Sequence, residues 1–268
     1  MTTAPYIFEK MTYASSAPAP GWFRKNFPDM GFYAPLLLIV LRAGLKAGKG
    51  IYDGEAWARS SEEVVANLEA SGCRIEATGM EHFRMLDEPC IFIGNHMSTL
   101  ETFVLPSIIQ PWRDVTFVVK ESLLKYPFFG KVLGAREPIV VGRTNPREDL
   151  SAVMEGGSER LKAGRSLIIF PQSTRTPIFD PAHFNTIGVK LARRTGAPVI
   201  PVALKTDAWG NGLRLKDFGP IDPHKTIHFE FGEALKISGT GKEEHQHISD
   251  FIMSRLERWE KEDKMLPR

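Results

Sequence analysis

The sequence predicts an α/β fold, with a mostly parallel central sheet flanked by helices and two further helices ahead of it. Three observations carry this prediction. Short apolar runs alternate with helix-patterned stretches from about residue 73 onward. Several runs consist of consecutive apolar residues rather than alternating ones, as strands covered on both faces do. The stretches between them carry helix start and stop signals, as strand–helix–strand units require.

Taken in order, residues 1–29 read as a flexible N-terminal segment. They lack the apolar core of a signal peptide, and 14–21 (ASSAPAPG) is Pro/Ala-rich. Residues 30–72 form a helical segment. Its first part, 33–41 (YAPLLLIVL), is apolar with one proline and is followed by Arg42, Lys46 and Lys49. A helix over 30–45 would reach roughly 24 Å at 1.5 Å per residue, short of the roughly 30 Å of bilayer hydrocarbon. Ser60-Ser61-Glu62-Glu63 offers a capping-box start for a second helix, with Val64, Val65 and Leu68 as its apolar stripe and Gly72 as its stop. An apolar helix and an amphipathic one, with basic residues beside the first, suit a membrane-associating segment that inserts shallowly, and they disfavour a full span. The alternative is that both helices pack on the main domain.

Residues 73–237 form that domain. Its strands are expected at 90–94 (CIFIG), 115–119 (VTFVV), 138–141 (PIVV), 166–170 (SLIIF), 198–204 (PVIPVAL) and 227–231 (IHFEF). Asn145-Pro146-Arg147-Glu148 supplies an N-cap, a first-turn proline and a capping-box glutamate for a helix that Gly164 stops. Gly156-Gly157 weakens that helix. A further helix on Ile187, Val189 and Leu191 ends at Gly196. Residues 238–268 are a linker and a closing helix, whose stripe of Ile248, Phe251, Ile252, Leu256 and Trp259 suits packing.

Composition narrows the function classes. Of 268 residues, 43% are apolar and 25% charged, which suits a soluble or peripherally bound globular chain. A net charge of +2 without a basic tract argues against nucleic acid as a partner. Cys73 and Cys90 each open an apolar stretch and read as buried thiols in a reducing compartment, so the protein is expected on the cytoplasmic face of a membrane, peripheral or monotopic. No metal site is expected, because His245 and His247 lack a completing ligand cluster. Gly239-Thr240-Gly241-Lys242 lacks the spacing of a phosphate loop, and no Gly-x-Ser-x-Gly elbow marks a serine hydrolase.

The chemistry concentrates in 91–105 (IFIGNHMSTLETFVL). A strand ends at Gly94, Asn95-His96 follows, and Ser98 caps a helix containing Glu101 and Phe103. Ligands bind beyond the carboxyl ends of strands in open α/β sheets. A histidine there can serve as a general base near neutral pH, and a carboxylate one turn onward can fix its tautomer and stabilise the imidazolium. Ser98-Thr99-Leu100-Glu101 is also a capping box, so Glu101 has a purely structural reading as well.

These residues resemble the glycerophospholipid acyltransferase family, of the 1-acylglycerol-3-phosphate O-acyltransferase type. Its Asn-His-x-Ser-x-x-Asp block is similar to Asn95-His96-Met97-Ser98-Thr99-Leu100-Glu101. A second block resembles Lys120-Glu121-Ser122-Leu123, then Pro127-Phe128-Phe129-Gly130 and a strand ending in Arg143. The family's Phe-Pro-Glu-Gly-Thr-Arg is matched by Phe170-Pro171-Gln172-Ser173-Thr174-Arg175, and a fourth block by Val199-Ile200-Pro201-Val202. The four occur in family order over about residues 73–237. Glu101, Gln172 and Ser173 depart from the usual Asp, Glu and Gly.

The resemblance implies an O-acyltransferase. His96 would deprotonate the hydroxyl of a lysophospholipid acceptor, supported by Glu101, and the oxygen would attack the thioester of acyl-CoA or acyl carrier protein. No cofactor beyond that co-substrate is implied. Arg143 and Arg175 would grip the acceptor phosphate, with Lys120, Thr174 and Gln172 as further contacts. The expected product is phosphatidate from 1-acylglycerol-3-phosphate. A different lyso-lipid acceptor, or a lipid-binding relative with weak turnover, is the alternative that the departures motivate.

Overall fold

Consecutive apolar residues become strands with a core on each side. The structure is a computed structural model and describes residues 5–15, 19–172, 174–212 and 216–265. In chain order the elements are β1 (Tyr13–Ala14), α1 (Trp22–Asn26), α2 (Pro28–Gly48), α3 (Gly54–Ala70), β2 (Ile75–Thr78), α4 (Glu81–Arg84), β3 (Ile91–Gly94), α5 (Leu100–Ile109), β4 (Val115–Lys120), α6 (Phe129–Gly134), β5 (Ile139–Val141), α7 (Pro146–Lys162), β6 (Ser166–Ile169), α8 (Ile187–Thr195), β7 (Val199–Lys205), β8 (Ile227–Phe231) and α9 (Lys242–Met265). The strands form one eight-stranded sheet in the order β1-β2-β8-β7-β3-β6-β4-β5. Only β1–β2 and β7–β8 are antiparallel pairings, so the expected mostly parallel sheet is present.

The pleat divides each central strand between two cores. Phe92, Ile168, Ile200 and Leu204 face the layer of α2, α3 and α5. Ile91, Ile93, Leu167, Ile169 and Val199 face the layer of α7, α8 and α9. This is why β3, β6 and β7 are buried at every position and why their sequence shows no alternation. Registers such as Phe92 opposite Ile168 and Ile200 align the carboxyl ends of β3, β6 and β7 on one rim, and β4 and β5 run the same way.

Several local expectations change. The segment read as flexible is tied down over its described residues. Phe8 is fully buried, β1 pairs with β2, and Arg84 donates to the carbonyls of Phe8, Glu9 and Lys10. The second N-terminal helix starts at Gly54 rather than Ser60, because Asp53 accepts from the Ala56 amide at 2.9 Å and so caps the helix earlier. Ser60 lies inside that helix and donates to the Trp57 carbonyl. The Gly156-Gly157 pair does not break α7. A Cβ on Gly157 would stand 2.5 Å from Leu191 Cδ2, so the missing side chain lets α7 and α8 approach closely.

α2 is longer than the sequence suggested. Its 21 residues span roughly 31 Å at 1.5 Å per residue, enough by length and composition alone to cross a bilayer. Its two faces differ. Phe32, Leu36, Ile39 and Ala43 are buried in the core, whereas Leu37 and Leu38 are 68% and 58% exposed. Met30 and Leu45 are exposed as well, as are Trp22, Phe23 and Phe27 just ahead of or beside it. The helix therefore packs on the domain and also presents an apolar surface outward.

Candidate active site

The candidate site grows from the turn between β3 and α5. Asn95 anchors that turn, its side-chain amide donating to the Leu204 carbonyl at 2.7 Å and accepting from the Leu204 amide at 2.9 Å. The chain leaves β3 held to β7, and His96 follows on the rim. The Gln172 side-chain oxygen accepts from the His96 amide at 2.7 Å, and the His96 carbonyl accepts from the Thr176 amide at 3.0 Å. The loops after β3 and β6 are thus locked together around the histidine. Phe170 lies parallel to the imidazole, with ring centroids 4.5 Å apart and planes 2° from parallel. That stack fixes the plane of the ring.

Glu101 fixes its rotation. His96 Nδ1 lies 2.8 Å from Glu101 Oε1, and Glu101 has no solvent exposure. The same carboxylate accepts from the Met97 and Ser98 amides at 2.8 and 3.0 Å and from the Thr206 hydroxyl at 2.7 Å, with Ser98 Oγ 3.1 Å away. Burial alone would raise its pKa. The His96 and Thr206 hydrogen bonds and the His96 charge outweigh this and hold it below the ordinary carboxylate value. An ionised Glu101 accepts the Nδ1 proton, which leaves Nε2 as the basic nitrogen. Nε2 has no hydrogen-bond partner among the described residues, and the His96 side chain is 14% exposed. The arrangement can take a proton from a hydroxyl brought to Nε2 and stabilise the resulting imidazolium.

Glu101 makes the contacts of both sequence readings. It receives the Ser98 amide as a capping-box glutamate does, and it orients His96.

The cationic residues named from the sequence follow other strands of the same rim. Arg175, after β6, places Nη1 2.6 Å from Asp217 Oδ1 and donates to the Thr99 hydroxyl. Arg143 follows β5 with φ of 59°, a left-handed conformation, and its amide and that of Gly142 donate to the Asp149 carboxylate. Burial lowers the Arg143 guanidinium's pKa, Asp149 opposes this, and the nearby Arg175 charge adds to the lowering. The two arginines therefore feel each other's charge across the rim. Lys120 is exposed at the carboxyl end of β4, and Thr174 is exposed beside Arg175. Gln172 is buried, with Nε2 donating to Thr176 Oγ1 at 3.2 Å, so both ends of its amide are engaged within the protein. Ser173, which stands where the family usually has glycine, lies outside the described residues. No group of three or more His, Cys, Asp or Glu among the described residues is placed to hold a metal ion.

Four participants escaped sequence reasoning. Phe170 lies inside a motif already singled out, but a ring stack has no spacing signature. Thr206 directly follows β7 and had no signal. Asp217 and Tyr126 stand in polar loops, where Tyr126 donates to Asp217 Oδ2 at 3.2 Å and the Asp217 charge pushes the Tyr126 phenol pKa up.

A family model described as Acyltransferase matches residues 74–205. The 1-acyl-sn-glycerol-3-phosphate acyltransferase of Pseudomonas aeruginosa is 34% identical over 172 residues, covering 64% of this chain and 63% of that protein. That of Borreliella burgdorferi is 31% identical over 209 residues, covering 72% and 76%. The chloroplastic Brassica napus enzyme of the same name is 27% identical over 131 residues, and the match spans only 37% of its length. A crystal structure of the 1-acyl-sn-glycerophosphate acyltransferase from Thermotoga maritima superposes with a TM-score of 0.63, covering 89% of this chain and 97% of that one. At 18% identity the superposition speaks for a shared fold.

Proposed function

Because this chain belongs to the acyltransferase family, we propose that it transfers a fatty acyl group from an acyl thioester to the free hydroxyl of 1-acylglycerol-3-phosphate, giving phosphatidate. The carrying observation is the His96–Glu101 pair, with Nδ1 held at 2.8 Å by a fully buried carboxylate and Nε2 left to face a substrate. His96 Nε2 takes the acceptor hydroxyl proton as that oxygen attacks the thioester carbonyl. The tetrahedral intermediate collapses by breaking the carbon–sulfur bond. The leaving thiolate takes the proton from the imidazolium, and neutral His96 returns. Arg143 and Arg175 hold the acceptor phosphate so that its hydroxyl meets Nε2, with Lys120 and Thr174 at the edge of the same rim. Gln172 serves the acceptor indirectly, by fixing the His96 backbone. The donor is acyl-CoA or acyl carrier protein, met at the cytoplasmic face of a membrane on which the exposed apolar face of α2 rests.

The test is thioester consumption by purified full-length protein given lysophosphatidate and each donor in turn, with product identified by mass. Phosphatidate should accumulate, and His96→Ala should lose activity by at least about three orders of magnitude. Undiminished turnover in that variant would eliminate His96 as the base. A panel of lysophospholipid and lyso-aminolipid acceptors decides the acceptor, since lysophosphatidate should be turned over fastest.

A further inference from the structure

Arg175 already holds an anion in the free protein. Its Nη1 contacts Asp217 Oδ1 at 2.6 Å, and the two side chains are 16% and 23% exposed. Asp217 is gripped from two further directions on the rim. The Thr99 hydroxyl lies 3.3 Å from Oδ1 and donates to it, and the Tyr126 hydroxyl donates to Oδ2 at 3.2 Å. Thr99 precedes α5, Tyr126 follows β4, and Arg175 follows β6. Asp217 itself comes from the connection after β7. That connection is closed at its base by Gly210 donating to the Pro220 carbonyl and Asp222 donating to the Ala208 carbonyl. It is seated on α2 through Tyr33, which packs against Phe218 and donates to the Gly219 carbonyl. The described residues on either side of Asp217 are therefore tied to the rim and to α2.

We propose that Asp217 is the resident counter-ion of the acceptor-phosphate site and sets acceptor affinity by competing with the phosphate for Arg175. The inference rests on the reading that the acceptor carries a phosphate. A carboxylate and a phosphate are alike to a guanidinium, since both take its paired N–H donors. In the free protein Asp217 keeps Arg175 neutralised and aligned. An arriving phosphate brings about two negative charges to within a few ångströms of that carboxylate, so it must displace Asp217 from Nη1 or bind against its repulsion. Either course weakens binding relative to a site whose arginine lacks a competitor. Asp217 thus acts through Arg175 as a positioning residue, and its removal has a sign opposite to that of a supporting ion pair. Tyr126 belongs to the same device because it holds the second carboxylate oxygen in place.

The experiment compares Asp217→Asn and Tyr126→Phe with the unaltered protein in two arms. In the first, KM and kcat for lysophosphatidate are measured at saturating acyl donor. KM should fall about tenfold in Asp217→Asn and about twofold in Tyr126→Phe, with the change falling on KM rather than kcat. In the second, inorganic phosphate is titrated into the full chain by calorimetry without donor or lipid, and its affinity should rise in the same order. Unchanged or weaker phosphate binding in both variants would overturn the proposal, because Asp217 would then only support Arg175. If the unaltered protein does not turn over lysophosphatidate, the proposed function fails, yet the phosphate titration still decides the role of Asp217. Should Asp217→Asn misfold, Tyr126→Phe decides the sign, since the exposed Tyr126 can lose its hydroxyl without disturbing the core.

Discussion

Glu101→Gln separates the two roles that converge on one carboxylate. In the parent, Oε1 accepts from His96 Nδ1 and from the Met97 and Ser98 amides, while Oε2 lies near the Thr206 and Ser98 hydroxyls. Glutamine keeps the shape and leaves an amide oxygen in the Oε1 position. Its NH2 group meets two hydroxyls, each able to turn and accept. Exchanging charge-assisted hydrogen bonds for neutral ones should cost about 1–2 kcal/mol of stability, so the variant folds. Catalysis should suffer far more, because the imidazolium formed during the reaction loses its counter-charge. The analogous loss in His–carboxylate pairs removes about three to four orders of magnitude in kcat, or about 4–5.5 kcal/mol. Glu101→Ala is the structural control. It leaves the buried Met97 and Ser98 amides without partners, at about 1–3 kcal/mol each. Urea unfolding and release of free thiol from the donor thioester measure the two quantities side by side. If Glu101→Gln keeps kcat within about tenfold of the parent while stability falls, the carboxylate is a helix cap and the dyad is refuted.

Three other perturbations read other parts of the molecule. Arg143→Gly should raise stability by about 1 kcal/mol, since φ of 59° strains a non-glycine residue, and should raise the KM for lysophosphatidate at least about tenfold; equal KM values would remove Arg143 from the phosphate site. Burial lowers the His228 pKa from 6.5 to about 4, with Lys205 and Arg258 adding to the lowering and Asp263 and Glu230 opposing it, while Glu76 lies 3.3 Å away but half-exposed. Its proton is therefore bound more tightly by the unfolded chain, so about 3 kcal/mol of stability should be lost as pH falls from about 6.5 to about 4, and His228→Gln should flatten that slope in urea midpoints. Leu37→Ser with Leu38→Ser should weaken association with anionic phospholipid vesicles at least about tenfold without lowering the melting temperature, because both side chains point away from the core; retained association would place the membrane contact elsewhere.

What could be read from the sequence follows from how local each feature is. β3, β6 and β7 announced themselves because a strand covered on both faces must be apolar at every position. β2 did not, since its Ile75–Thr78 stretch alternates buried and exposed residues and places Glu76 in a four-residue strand. The start of α3 was misplaced because two capping signals compete over 53–63, and burial of Trp57 and Ala58 decides for the earlier one. α2 extends beyond the 30–45 helix the sequence suggests, because Pro28 at its start reads equally as the end of a loop. The His96–Glu101 pair was visible because His96 follows the end of β3 directly and Glu101 falls in the first turn of α5. Arg175 was visible through its motif, but its partner was not. Asp217 comes from a distant polar loop without periodicity, and only the fold shows that the loop returns to the rim.

The capping contacts of Glu101 and its contact with His96 have one geometric origin. A capping glutamate is drawn toward the amides at a helix start, and those amides here belong to Met97 and Ser98, directly after the histidine. Any carboxylate that satisfies them is brought within reach of the His96 ring. Burial opposes ionisation, but the His96 hydrogen bond and charge and the Thr206 hydrogen bond keep the group's pKa below the ordinary carboxylate value, with the Met97 and Ser98 amides on the same carboxylate. An ionised carboxylate is what a protonated histidine needs. The extra methylene relative to aspartate lets Oε1 meet the ring while Oε2 reaches Thr206, the residue directly after β7, so the pair is also fastened beside the neighbouring strand. The cap therefore gives His96 a fixed, charged partner, and under the proposed mechanism substitutions that spare the amide contacts but remove the charge will affect rate more than fold.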